Sequence, residues 1–201
     1  MFDKSLKALI LLAATAATTG AMAHTGADVG AHTHIAFMDG LLHPLTGLDH
    51  LAAMLAVGLW SALTARRAGA DMLWGPLAFA GMLLVGAVLG LLGVAIPAVE
   101  PMIAASLLVT GLLVSSRMHV PGLLAVVLVG GFAVFHGVAH GYELSGQASA
   151  VSTLAGMLCA TVFLHATGLA IGWALRTSVW VPRVAGTAVA VLGVSLLTQL
   201  A

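Results

Sequence analysis

The chain has 201 residues, of which 61% are hydrophobic and only 7% charged, with a formal net charge of zero and a mean hydropathy of +1.11. So few charges cannot cover the surface of a water-soluble domain, which specifies an integral membrane protein, and with no basic stripe to neutralise phosphates the chain has no nucleic-acid partner. Nine histidines outnumber the seven Lys and Arg, which points to metal or proton chemistry, whereas the single cysteine, Cys159, excludes an internal disulfide and a Cys-based zinc site and reads as a small buried hydrophobe.

Residues 1–23 carry Lys4 and Lys7, then an apolar run from Ala8 to about Ala17, then Ala21-Met22-Ala23. This is the pattern of a signal peptide with an A-x-A cleavage site. Cleavage there starts the mature chain at His24, outside a bacterial inner membrane. Residues 24–42 form a tail with His24, Asp28, His32 and His34, then a partly apolar approach from Ile35 to Leu42 expected at the membrane interface. Short histidine-rich tracts bind metal weakly whether or not they serve it. The tail therefore reads either as a metal-collecting arm or as a solvated segment.

Residues 43–201 are expected to form an all-α polytopic bundle of six transmembrane helices. Span one begins at Pro44, which a helix accepts at its first position, and ends near Thr64, a length of about 31 Å that crosses the hydrocarbon. Arg66 and Arg67 close it. Spans two to six are expected near residues 73–96, 101–115, 121–142, 151–175 and 182–200. Beyond the signal peptide the arginines are Arg66, Arg67, Arg117, Arg176 and Arg183. All fall in the loops after spans one, three and five, which makes those loops cytoplasmic. Both mature termini are then periplasmic, as the signal peptide also implies. Gly86-xxx-Gly90, Gly137-xxx-Gly141 and Gly168-xxx-Gly172 are stripes that let helix backbones approach closely. Trp60, Trp74, Trp173 and Trp180 fall near the cytoplasmic interface and read as aromatic anchors.

Ionisable side chains within a span are costly and mark function by default. Two constellations carry them. On span one, at about 100° per residue, His43, Gly47, His50, Met54 and Gly58 share one face of a continuous helix. Asp49 is turned about 120° away, so it either orients a histidine on a neighbouring helix or reaches the site if Gly47 distorts its own. On span four, His136 and His140 are one turn apart and Glu143 follows on the same face. Imidazoles in that relation can share a cation.

Depth brings the two together. Span one runs inward from its motif and span four runs outward toward its own, so His50 and His136 each lie about 9 Å inside the outer surface. His43, His140 and Glu143 then stand at the mouth, and Met54 is about 6 Å deeper than His50. Met54 reads as core packing or as a ligand, and His165, on span five toward the cytoplasm, as an inner relay or a packing histidine. His119 is a loop residue. The donors are nitrogen and oxygen with no thiolate, which suits Ni²⁺, Co²⁺ or Zn²⁺ without choosing among them.

These residues resemble the HupE/UreJ family of membrane proteins, proposed nickel or cobalt permeases associated with hydrogenase and urease maturation. The resemblance rests on His43-Pro44-xx-Gly47-x-Asp49-His50-xxx-Met54-xx-Gly58 and on His136-Gly137-xx-His140-Gly141-x-Glu143, and extends to the signal peptide and six-span layout. It implies uptake of Ni²⁺, and by extension Co²⁺, from the periplasm. It also marks His43, Asp49 and His50 first, then His136, His140 and Glu143, as the positions on which transport depends. It implies no prosthetic group.

Two function classes follow. One is a metal permease, which carries no nucleotide-hydrolysing P-loop signature in its sequence. The other is an intramembrane metal-dependent hydrolase or oxidase that uses the same histidines; against it, neither motif is accompanied by a serine or further carboxylate as general base. A homo-oligomer is left open by the sequence.

Overall fold

In an apolar medium each backbone N–H and C=O must find its partner within its own segment, so runs this apolar fold as helices. The computed structural model describes residues 33–200. Among the described residues there are seven α-helices, one 3-10 turn at Ala70–Met72 and no strand: α1 (Thr33–Thr46), α2 (Leu48–Thr64), α3 (Trp74–Leu91), α4 (Val99–Ser116), α5 (Gly122–Leu144), α6 (Ala150–Leu175) and α7 (Trp180–Gln199). The expected signal peptide, its cleavage site, His24 and His32 lie outside the described residues, while His34 belongs to the first turn of α1. Helices α3 to α7 are each long and apolar enough to cross a membrane, and α1 with α2 makes a sixth if the pair is one broken span.

The first span differs from its expected form. Pro44 lies inside α1, near its end, and not at the start of a helix. Gly47 is extended (φ −90°, ψ 111°) and caps α2, which sets off at 79° to α1. The ladder gives out after Thr46: the Gly47 N–H reaches the His43 carbonyl only at 3.4 Å and the His50 N–H is taken by the Asp49 carboxylate, so the helix stops there and restarts at Leu48. His43 and His50 therefore do not share one face of one helix. The approach from Ile35 to Leu42 is the body of α1, packed on α6. α3 also ends at Leu91, five residues before the expected limit, because Gly93 takes a left-handed conformation (φ 72°) and the Val94 N–H turns back to the Leu89 carbonyl at 3.0 Å. That is a Schellman-type stop.

The most extensive packing is α3 on α5, then α4 on α7, with α1 and α2 both on α6. Glycines set these distances. Gly86 and Gly90 of α3 lie against the Val134 and Val138 carbonyls of α5, and Gly137 and Gly141 of α5 lie against the Leu83 and Ala87 carbonyls of α3. A Cβ at any of these four would collide with backbone. Gly58 of α2 and Gly168 of α6 meet in the same way, as do Gly40 of α1 and Gly156 of α6.

The three arginine-bearing loops gather at one end. Arg117 donates to the Arg176 carbonyl at 2.9 Å and to that of Ser178. Arg66 and His119 line one cavity of about 330 Å³ with Trp60, Asp71 and Trp74. Trp60 departs from its expected role: it is buried, and its indole N–H donates to the Met118 carbonyl at 2.9 Å, so it ties α2 to the loop between α4 and α5 and is no interfacial anchor. Trp74 and Trp180 are exposed as anchors should be. Cys159 is exposed on the outer face of α6, contrary to the expected burial, because its helix position points away from α1 and α2.

Candidate metal centre

The last turn of α1, the first turn of α2 and the last turns of α5 meet at the end of the bundle opposite the arginines. The bend at Gly47 places the His43 and His50 rings 6.2 Å apart, centroid to centroid. From α5, His140 lies 5.1 Å from His43 and 4.6 Å from His50, and His136 lies 5.1 Å from His50. The Glu143 Oε2 stands 3.5 Å from both His43 Nε2 and His140 Nδ1. Both sequence constellations thus form one cluster. It is graded in exposure: the Glu143 and His43 side chains are 50% and 38% exposed, whereas those of His140 and His136 are buried. The order runs from an open mouth to a closed interior.

Asp49 pairs with no histidine of a neighbouring helix among the described residues; beyond the break at Gly47 it meets the adjacent ring of the cluster on its own helix. Its Oδ1 accepts the backbone N–H of His50 and lies 2.9 Å from His50 Nδ1. A carboxylate in this pairing accepts, so Nδ1 carries the hydrogen and Nε2 is left with its lone pair. That Nε2 is buried with no hydrogen-bond partner among the described residues. His165 repeats the arrangement. Its Nδ1 donates to the Met54 carbonyl at 2.8 Å, and its Nε2 is buried and unpaired. His140 Nε2 and His136 Nδ1 are unpaired among the described residues as well. Four imidazoles therefore each have one nitrogen held and the other bare.

Met54 is fully buried in the apolar core, and it joins this region through its carbonyl. Phe79 of α3, which carried no signal in the sequence, packs 5.4 Å from the His136 ring and 5.0 Å from that of His165. It stands between the outer cluster and the inner histidine. Ser106 of α4 was also missed, and its Oγ is 3.0 Å from His136 Nε2. Two buried hydroxyls one turn apart, Ser106 and Thr110, were the available sign that α4 turns a polar strip inward. Tyr142 completes the mouth: its hydroxyl donates to the Val94 carbonyl at 2.6 Å and accepts from the Ile96 N–H at 2.9 Å, fastening the α3–α4 turn to α5.

The donor set is imidazole nitrogen with carboxylate oxygen, the chemistry that suits a divalent transition metal. His43, His140 and Glu143 each offer a ligand atom, and these atoms lie within 4.8 Å of one another.

The profile of the family described as "HupE / UreJ protein" matches residues 11–196. The chain belongs to the HupE/UreJ family. A curated relative, Protein HupE of Rhizobium leguminosarum bv. viciae, is 41% identical over 176 residues, which cover 83% of this chain and 90% of that protein. No solved structure matches the chain. The two motifs that carry the HupE/UreJ resemblance are the ones that the bend at Gly47 and the last turns of α5 bring into contact.

Proposed function

We propose that the chain is a permease that takes Ni²⁺, or the chemically similar Co²⁺, from the periplasm to the cytoplasm of a bacterial inner membrane. The observation that carries this reading is the set of bare, buried imidazole nitrogens on His50, His136, His140 and His165. A buried polar atom left unpaired costs about 1–3 kcal/mol. Histidines that served only to pack helices would not gather four such atoms in one region, whereas a passing cation gives each a partner.

In this reading His43, His140 and Glu143 receive the ion at the open mouth, and His50 with His136 holds it deeper. Asp49 fixes the ring of His50. Phe79 separates this group from His165, the next nitrogen inward, and the ion leaves at the arginine end. The arginine loops face the cytoplasm by the positive-inside rule, so the cluster faces the periplasm. A divalent ion moving inward across ~100 mV gains about 4.6 kcal/mol, enough to drive uptake without nucleotide hydrolysis.

The test is radioactive nickel uptake into proteoliposomes with an imposed inside-negative potential. Wild type should accumulate the ion, and His50→Ala and His136→Ala should each lose most of the rate. Wild-type vesicles that accumulate no more than protein-free controls would sink the reading.

A further inference from the structure

Ser106 belongs to neither motif and sits on α4, a helix otherwise without chemistry. We infer that Ser106 is a positioning residue of the metal pathway: it accepts the Nε2–H of His136 and so turns the lone pair of Nδ1 toward the ion. The inference rests on the permease reading above.

A serine hydroxyl has one hydrogen to give and two lone pairs to receive with. Ser106 Oγ has two neighbours, the Ile103 carbonyl at 2.7 Å and His136 Nε2 at 3.0 Å. The carbonyl offers no hydrogen, so the contact at 2.7 Å exists only if Oγ donates to it. The single hydroxyl proton is then spent, and Oγ faces the imidazole as an acceptor. Nε2 must carry the ring hydrogen, which leaves Nδ1 bare. That Nδ1 is buried and unpaired among the described residues. Ser106 is 2% exposed and His136 fully buried, so bulk water does not compete for either group.

The arrangement mirrors that of its neighbours. His50 and His165 are held at Nδ1, by a carboxylate and a carbonyl, and present Nε2. His136 is held at Nε2 and presents Nδ1, the nitrogen nearer its own backbone. Its holder is a neutral hydroxyl. An anionic acceptor strengthens the opposite nitrogen as a donor more than a neutral one does, so His136 is the softer grip of the pair it forms with His50.

The test uses the full chain in lipid nanodiscs, with nitrogen-15 labelled histidine and His136→Ala to identify the resonance. Two-bond nitrogen–proton correlation spectra of the metal-free protein should show His136 as the Nε2–H tautomer in wild type and Ser106→Thr. Ser106→Ala should show a mixture of tautomers. Nickel titration should then find Ser106→Ala weaker by tenfold or more, the effect of losing a ligand's hydrogen-bond partner, with Ser106→Thr restored toward wild type. A wild-type His136 found as the Nδ1–H tautomer overturns the proposal, as does an unchanged affinity in Ser106→Ala. Absence of nickel binding by wild type overturns the permease reading instead, and the spectrum alone then decides whether Ser106 sets the tautomer.

Discussion

His43 and His50 face one another at 6.2 Å across the 79° break between α1 and α2. In an unbroken helix seven residues would separate them by about 10 Å along the axis. The break shortens that distance and rotates both rings toward α5. Gly47 is not needed there for its backbone angles, which any residue adopts. Its contribution is room, because a Cβ would stand 3.0 Å from Asp49 Oδ1 and 3.4 Å from His50 Nδ1. Gly47→Ala should therefore displace the Asp49 carboxylate and lower initial nickel uptake several-fold at unchanged protein level, and Gly47→Val should do worse. Wild-type rates in Gly47→Ala would mean that the Asp49–His50 geometry does not limit transport.

Asp49→Asn keeps an oxygen near His50 Nδ1 but removes the negative charge. Losing a ligand's hydrogen-bond partner costs about 10–100-fold in metal affinity. Asp49→Asn should fall toward the lower end of that range and Asp49→Ala toward the upper, read by nickel titration on purified protein. Both should melt near the wild-type temperature, since among the described residues the hydrogen bonds of Asp49 go only to the residue beside it. Loss of folded protein would assign Asp49 a structural role.

His165 lies beyond Phe79 from the outer cluster. His165→Ala should leave nickel affinity at the mouth unchanged while slowing uptake at least tenfold. Equal uptake by mutant and wild type would reduce His165 to a packing residue. Phe79→Ala is a separate measurement of stability, because removing a fully buried phenylalanine side chain costs about 3–5 kcal/mol. Its thermal transition should drop well below that of His165→Ala.

Gly137 and Gly131 sit on the same helix in opposite circumstances. A Cβ at Gly137 meets the Leu83 carbonyl and the Ala87 nitrogen of α3, while at Gly131 it meets nothing within 4 Å. Gly137→Ala should lower thermal stability by about 1–3 kcal/mol, the range for overpacking a well-filled contact. Gly131→Ala should be silent or slightly stabilising, as alanine is the better helix former. Matching losses in the two would show that helix flexibility and not the α3–α5 approach is at stake.

Much of this was legible in sequence. Spans two to six follow from hydropathy because a bilayer forces helices on apolar runs, and His50 meets His136 because two oppositely directed spans put equal depths together. The break at Gly47 was hidden, since proline is acceptable at a helix start and only the packing of α1 on α6 reveals that the helix began eleven residues earlier. Asp49 could not be settled by an ideal wheel, because its partner is the adjacent ring. Ser106 and Phe79 reach the site across helices: the one-turn spacing of Ser106 and Thr110 marks a polar strip on α4 without saying which helix it meets, and no local periodicity records which face of α3 turns toward α5.

The glycine-to-carbonyl contacts fasten α1 and α2 to α6, and α3 to α5, more tightly than they fasten these groups to each other. His43, His50 and His165 ride on the first body, and His136, His140, Glu143 and Phe79 on the second. On the permease reading proposed above, an ion held by both is a rivet across a seam, and its inward release is expected to slide one group past the other. Spin-label distances should then shift on nickel binding between α2 and α5 and hold constant between α3 and α5; movement within the α3–α5 pair would refute this division.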